Sequence, residues 1–422
     1  MTVSPRPIDL LVTGAAEVAT PLGTTPRGGA ELGAIRVLED GAVACHDGEV
    51  VAVGPAAELA GAYRATETLD AAGGTIVPGF VDAHTHPVFF GTREDEFEMR
   101  VAGRSYVEIA RSGGGIAASL EGVRDNSLEL LLERLLVRLD RFLAFGTTTV
   151  EAKSGYGLTL VDELKCLRAI DTANRAHAVD LVPTFLGAHD FPPEYRGQHE
   201  AYVTLLVEEM LPAIAESHLA RYCDIFTEAH VFDLEASRRI LGRARELGFE
   251  LRMHVDQLTP LGGAELAAEL GAASADHLEH VSDAGIAALA AGGVIPVLCP
   301  LVPLYLRETQ EAPARRMVNE GLAPALATDF NPGSCYTQSM PEVLTWAALR
   351  YGFSAAEALT AATLNAACSL GLGAELGTLE PGKAADLLVL DVDNYHHLTY
   401  ELGRNPVRAV VKRGRVVLGA AE

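Results

Sequence analysis

The fold turns on one stretch, Thr75-Ile76-Val77-Pro78-Gly79-Phe80-Val81-Asp82-Ala83-His84-Thr85-His86-Pro87. Its apolar part, Thr75–Val81, has strand length and runs straight into two histidines one residue apart. Side chains at i and i+2 of a strand face the same way, so His84 and His86 can converge on one point beyond the strand end. Downstream the same grammar recurs, with apolar strand-like runs followed by helix-period segments. The strands are expected at Thr147–Glu151, Asp180–Phe185, Tyr222–Thr227, Glu250–His254, Ser274–His277, Val294–Cys299 and Pro324–Thr328. Helices are expected between them, among them Leu128–Ala144, rich in Leu at helical spacing, and Leu234–Leu247, while the Ala-rich stretches 264–291 and 355–367 read as plain helices. Eight parallel strand–helix units predict an α/β fold, a (β/α)8 TIM-like barrel, whose chemistry sits at the C-terminal ends of its strands.

Outside this middle the pattern changes. The first 70 or so residues carry short apolar runs broken by turn chemistry, including Asp47-Gly48 ahead of Glu49–Gly54, and the last 45 or so repeat it, with Arg413-Gly414 before Arg415–Leu418. Neither end buries enough surface to stand by itself, so both are expected to share one small β-sandwich domain. The predicted division is residues 1–73 and 376–422 for that domain and 74–375 for the barrel.

Composition narrows the partners. A chain of 422 residues that is 49% hydrophobic and 21% charged is globular in make-up, which excludes collagen-like, coiled-coil and disordered classes. Its formal net charge of −24 repels phosphate backbones and anionic lipid, so neither nucleic acid nor membrane is an expected partner. No apolar run spans a bilayer, and Met1–Pro7 is not followed by an apolar core with a cleavage site, so a cytoplasmic protein is expected. The six cysteines, Cys45, Cys166, Cys223, Cys299, Cys335 and Cys368, form no C-x-x-C pair and read as free thiols. Metal chemistry must then use His and Asp.

A lone H-x-H is weak, and two incidental histidines explain it as well as a metal does. Support comes from the later strand ends: the fifth closes on His254, the sixth on Asp276-His277, and the eighth on Asp329. Each places a metal ligand or base where barrel chemistry happens. Three imidazoles and a carboxylate suit Zn²⁺ or Fe²⁺, with one position left open for a water.

With H-x-H on strand one, His on strands five and six and Asp on strand eight, the chain resembles the amidohydrolase superfamily. Further segments narrow the likeness: Val88–Phe97, Gly113–Ile116, Glu151-Ala152-Lys153-Ser154-Gly155-Tyr156-Gly157-Leu158, Thr184–His189 and Asp329–Ser334. These resemble the imidazolonepropionase family over essentially the whole chain. The resemblance implies hydrolysis of 4-imidazolone-5-propanoate, a small-molecule substrate, to N-formimidoyl-L-glutamate in histidine degradation. By the family pattern His84, His86, His254 and Asp329 would bind one Zn²⁺ or Fe³⁺ per subunit, and the subunits would form a homodimer. Asp329 would move the nucleophile's proton to the leaving ring nitrogen, and His277 would orient the water or stabilise the developing oxyanion.

Arg93 would hold the propionate, although on spacing alone it reads as a surface arginine paired with Glu94 or Asp95. Tyr156 and His189 suit the ring and carboxylate, while Asn331, Gly333 and Ser334 would offer amide donors. Three residues after His254 stands Gln257, where some members of the family place a Glu; an amide is no general base, so Gln257 is assigned to substrate binding. Lys153 is read as structural rather than as a carbamate bridge, Gly113–Gly115 as a flexible lid, His230 and His280 as structural, and His396-His397 as surface. The same metal set would also serve an aminohydrolase of a heterocyclic base, which has no need of Arg93.

Overall fold

The computed structural model describes residues 5–419, so Met1–Ser4 of the stretch read for a leader lie outside it. Eight parallel strands run side by side in chain order: β1 Phe80–Asp82, β2 Thr147–Lys153, β3 Asp180–Ala188, β4 Tyr222–Thr227, β5 Glu250–Val255, β6 Ser274–His277, β7 Ile295–Leu298 and β8 Ala325–Leu326. The ring closes beyond the ends of β8 and β1, where Thr85 and Phe330 form a parallel bridge. Asp329 N donates to His84 O at 3.1 Å and His86 N donates to Phe330 O at 2.9 Å. The residues that close the barrel are thus the metal-type residues themselves.

Each crossover helix is set by its sequence. The helix Leu128–Ala144 is capped by the Ser127 side chain, which accepts from Leu130 N, and it buries Leu131, Leu135, Leu139 and Phe142, one stripe at helical spacing. Helix Leu234–Glu246 is capped by Asp233 and buries Ile240 and Leu241. Buried β-branched and aromatic side chains such as Val150, Phe185, Ile225 and Val297 line the strands, which are buried on both faces, as parallel barrel strands are.

The chain ends form two further sheets. A four-stranded sheet holds Glu49–Pro55, Gly41–His46, Arg6–Thr13 and Tyr63–Asp70 in that order. A six-stranded sheet orders Arg415–Leu418, Val407–Lys412, Leu387–Leu390, Thr75–Pro78, Glu17–Pro21 and Ile35–Glu39, mixing both ends of the chain. One buried cluster joins them, with Leu10, Val12 and Val43 from the first sheet against Ile76, Leu387, Val389 and Val411 from the second. This is the expected sandwich. Both predicted hairpin turns form with positive φ, at Asp47-Gly48 (50° and 83°) and Arg413-Gly414 (46° and 70°).

Three expectations need correction. Thr75–Val81 is not one strand: Thr75–Pro78 belongs to the six-stranded sheet, and the barrel begins only at Phe80. Both halves are buried, so hydrophobicity runs through the break, whereas the Pro78-Gly79 pair marked it. A side chain at Gly79 would have its Cβ 2.4 Å from Thr148 Oγ1, so only glycine fits where the chain passes between the two sheets. The Ala-rich stretch 264–291 is two helices, Gly263–Leu270 and Asp283–Gly292, with β6 between them. In the stretch 355–367 a π-helical turn, Ala361–Asn365, interrupts the helix and aims Asn365 at the backbone of Arg27 and Pro324. All six cysteines are free, and Cys368 alone is not buried. Among the described residues no helix is long and apolar enough to cross a membrane.

Candidate functional site

At the C-terminal mouth of the barrel, four side chains converge. Nε2 of His84 lies 3.3 Å from Nε2 of His86, which lies 3.3 Å from Nε2 of His254. Asp329 Oδ1 stands 3.4 Å from both His84 Nε2 and His86 Nε2. The far nitrogens of two rings are anchored by carboxylates, His84 Nδ1 on Asp276 at 2.6 Å and His254 Nδ1 on Asp224 at 3.0 Å. A carboxylate on Nδ1 fixes the proton there and turns the Nε2 lone pair inward. Lone pairs and a carboxylate aimed at one another repel unless a cation sits among them, so the donor set fits a metal ion. The surroundings ask for the same positive charge. Burial and Lys153 push the His84 ring down, yet Asp276 and Asp329 outweigh them and raise it to about 9. Burial pushes His254 down to about 3 and His86 well below the ordinary range, so both rings are neutral. Burial also opposes the Asp329 charge, but His84 and His86 hold its carboxyl well below the usual range.

Beneath this cluster lies a charge network that sequence reading missed. Lys153, fully buried, places its ammonium 2.8 Å from Asp224 Oδ2 and 2.9 Å from Glu151 Oε1. Arg252, equally buried, donates to Ala83 O at 2.8 Å and Ser369 O at 2.9 Å and lies 3.3 Å from Asp276 Oδ2. Burial alone would strip Lys153 of its proton, and Asp224 and Glu151 hold it above its ordinary value. Charges so deep persist only when paired and hydrogen-bonded. Lys153 is therefore the clamp that holds the carboxylates which hold the histidines. The signal was present in the strand-end pairs, Glu151 and Lys153 on β2 and Asp276 and His277 on β6, both i and i+2 or adjacent positions at the barrel mouth.

Backbone strain concentrates here. Asp329 adopts φ 50° and His277 φ 80°, left-handed values that cost a non-glycine residue of order 1–3 kcal/mol each. After Asp329 a compact turn forms: Asn331 Oδ1 accepts from Gly333 N at 2.8 Å and Ser334 N at 2.6 Å, and Asn331 Nδ2 donates to Asp329 O at 2.7 Å. The backbone amides of Gly333 and Ser334 are consequently spent on Asn331 and are not the free donors expected from sequence. Ser334 Oγ instead donates to Asp329 Oδ2 at 3.0 Å, restraining the carboxylate oxygen that faces away from the histidines.

The donors open into a pocket lined by His86, Arg93, Tyr156, His189, His254, Gln257, His277, Asp329, Asn331 and Ser334, so of the site residues expected from sequence only Gly333 and His84 are not on its wall. Arg93 is no surface arginine: it is 8% exposed, and its ion-pair neighbour is Glu96 at 3.6 Å rather than Glu94 or Asp95. No protein acceptor among the described residues meets its Nε or Nη1. Gly333 is what makes room for it, since a Cβ there would stand 1.0 Å from Arg93 Nη2. His189 Nδ1 donates to Gly155 O at 2.9 Å, which leaves Nε2 as an acceptor towards the pocket, and burial pushes this ring down to about 4. Burial pushes the Tyr156 hydroxyl up, so it stays a neutral donor. Outside, sharing Tyr106 and Ile116 with the pocket, lies a vestibule lined by Arg111, Arg196, His199, His230 and Asp190. His280 faces a small side cavity next to Gln257 and Glu279.

The sequence model of the Amidohydrolase family matches residues 75–417. An imidazolonepropionase of Symbiobacterium thermophilum is 50% identical over 417 residues, covering 98% of each chain. One of Solibacter usitatus is 48% identical over 93% of this chain and 94% of its own, and one of Geobacillus kaustophilus 45% identical over 97% and 96%. Among solved structures, an adenosine deaminase from Xanthomonas campestris with bound zinc superposes at a TM-score of 0.72, with 23% identity over 98% of this chain and 94% of its own. Guanine deaminase of E. coli does so at 0.72, with 19% identity over 97% and 99%. At such identities the structural likeness concerns the fold.

Proposed function

The chain belongs to the amidohydrolase family and, within it, to the imidazolonepropionases; from that premise we propose that the pocket hydrolyses the ring amide of 4-imidazolone-5-propanoate to N-formimidoyl-L-glutamate. The observation that carries the reading is the pairing, in one pocket, of four inward-facing metal-type donors with a buried guanidinium whose Nε and Nη1 meet no protein acceptor among the described residues. The first half suits hydrolysis, and the second suits a substrate with an anionic tail.

His84, His86, His254 and Asp329 would hold one Zn²⁺ or Fe³⁺, which supplies the Lewis acidity that brings a water's pKa towards ~7. The chain's own groups do the rest. Arg93 receives the propionate through two parallel N–H donors. His189 Nε2 accepts from a ring N–H, Tyr156 donates its hydroxyl to a substrate acceptor, and the Gln257 amide donates and accepts along the N–C=O edge. Water attacks the ring carbonyl carbon. Asp329 takes the proton that water gives up; as the carbon–nitrogen bond breaks, it returns that proton to the departing ring nitrogen. Ser334 keeps the Asp329 carboxylate in one orientation through this exchange. With Gln at 257, proton transfer falls to Asp329 and His277.

The vestibule supports the same substrate. In a chain of net charge −24, it gathers Arg111 and Arg196 against one acid, Asp190, and so draws an anion inwards. The exposed apolar residues Leu349, Tyr400 and Leu402 lie on or just after the helices Met340–Tyr351 and His397–Tyr400, and they support a homodimer, which we place in the cytoplasm.

The test is turnover of freshly made 4-imidazolone-5-propanoate by the metal-loaded protein, with N-formimidoylglutamate followed by mass spectrometry. Its appearance is the expected result. Metal-loaded protein that leaves this compound intact but releases ammonia from a purine, pyrimidine or triazine would replace the proposal with an aminohydrolase.

A further inference from the structure

Directly behind His277 lies a carboxylate that the mechanism above does not use. Glu279 is 3% exposed, and neither of its carboxylate oxygens meets a protein donor among the described residues. Nδ1 of His277 is likewise sealed from solvent and unpartnered, and Glu279 Oε1 is 3.8 Å from it. Two unsatisfied buried groups of opposite hydrogen-bonding capacity facing each other are rare, since burying either without a partner is unfavourable. The chain is bent to bring them together. His277 and Leu278 are consecutive left-handed residues, with φ of 80° and 71°, and the backbone beyond is pinned by His280 N on Asp256 O at 2.7 Å and by Gln310 Nε2 on Glu279 O at 3.0 Å.

The neighbouring rings show what such a pair does. Asp276 sits on Nδ1 of His84 and Asp224 on Nδ1 of His254, and in both the opposite nitrogen points into the site. His277 also lines the pocket while its Nδ1 is shut away, so Nε2 is its open nitrogen.

We propose that Glu279 is the positioning residue of His277: its carboxylate accepts the Nδ1–H, fixes the ring in that tautomer, and leaves Nε2 as an acceptor that aims the attacking water at the carbonyl carbon. The gap closes by a small torsional adjustment, as catalytic hydrogen bonds tighten when substrate fills a site. The assignment rests on the hydrolytic reading of the pocket, and it decides between the two roles open to His277. An Nε2 that accepts orients water; it does not donate to an oxyanion.

The test has two arms. The zinc-loaded protein labelled with ¹⁵N-histidine is examined by long-range ¹H–¹⁵N NMR, with the His277 signals assigned from a His277→Asn variant. The expected pattern is a protonated Nδ1 and an unprotonated Nε2. A ring protonated on Nε2 alone overturns the proposal whatever the turnover, and this arm needs no substitution at position 279 and no knowledge of the substrate. In the second arm, Glu279→Leu is expected to lower kcat about 10- to 100-fold with KM and zinc content little changed, as loss of a group that orients a site residue does. Glu279→Gln, whose carbonyl can still accept from Nδ1–H, should recover most of that loss. A Glu279→Leu protein with kcat within threefold of the parent overturns the proposal. If Glu279→Leu fails to fold, Glu279→Gln carries the arm through the same tautomer measurement, and an Nε2-protonated ring there beside an Nδ1-protonated parent supports it.

Discussion

Replacing Gly333 by Ala should disable Arg93 without touching it. The added Cβ would stand 1.0 Å from Arg93 Nη2 and 2.1 Å from its Cζ, so the guanidinium must withdraw by about 2.4 Å to reach an ordinary 3.4 Å contact. A fork moved that far no longer meets a carboxylate with both of its donors. A hydrogen bond to a charged group is worth about 1.5–3 kcal/mol, so KM for 4-imidazolone-5-propanoate should rise roughly 10- to 150-fold. Because Arg93 grips the same carboxylate before and during reaction, kcat should change little. Gly333 is not in the left-handed region, so Ala costs the backbone nothing there, and zinc content should stay at the parental level. Steady-state kinetics of the parent, Gly333→Ala, Arg93→Ala and the double variant form the assay. Both single variants should share one high KM, and the double should be no worse than either, since they remove one interaction. Parental KM in Gly333→Ala, or additive losses in the double, would refute the placement of the propionate on Arg93.

Lys153→Met leaves Glu151 and Asp224 buried without their ammonium, and losing one partner of a buried pair costs about 3–5 kcal/mol; calorimetry should show a lower Tm and titration a zinc affinity reduced about 10- to 100-fold. Stability should also fall with acid through His189. Burial depresses its folded pKa to about 4 against an unfolded value near 6.5, so the unfolded chain takes up the proton first; stability is intact above pH ~6.5 and is lost as pH falls towards 4, by about 2 kcal/mol at pH 5. Urea midpoints at pH 7 and 5 should therefore separate more in the parent than in His189→Gln. The vestibule predicts that kcat/KM falls with rising salt, and that Arg111→Ala combined with Arg196→Ala lowers kcat/KM, flattens this salt dependence and spares kcat.

Much of this architecture was legible because the barrel repeats itself. Tyr222–Thr227 and Ser274–His277 appear as strands with the bounds read from the sequence, and Leu128–Ala144 as a helix with the same ends, because apolar runs and Leu spacing report burial directly. What escaped was whatever burial does not distinguish. Thr75–Val81 is apolar in both of the sheets it serves, so its division at Gly79 was written only in a Pro-Gly pair. Among site residues, H-x-H announces itself by spacing, but Asp224, Arg252 and Glu279 act through partners that lie far away in the chain or around a strained turn. Asn331 illustrates the opposite failure: its residue type suggested amide donors for a ligand, and the fold spends its Nδ2 on Asp329 O and Ser334 Oγ of its own turn.

The most direct test of the central claim follows the water. Turnover of 4-imidazolone-5-propanoate by the metal-loaded protein is run in oxygen-18 water, and the product is fragmented by mass spectrometry. If water attacks the ring carbonyl carbon in this pocket, N-formimidoylglutamate carries one heavy oxygen, in the newly formed α-carboxylate beside the nitrogen-bearing carbon. Product without that label, or label lodged in the formimidoyl end as a formyl oxygen, would contradict the account.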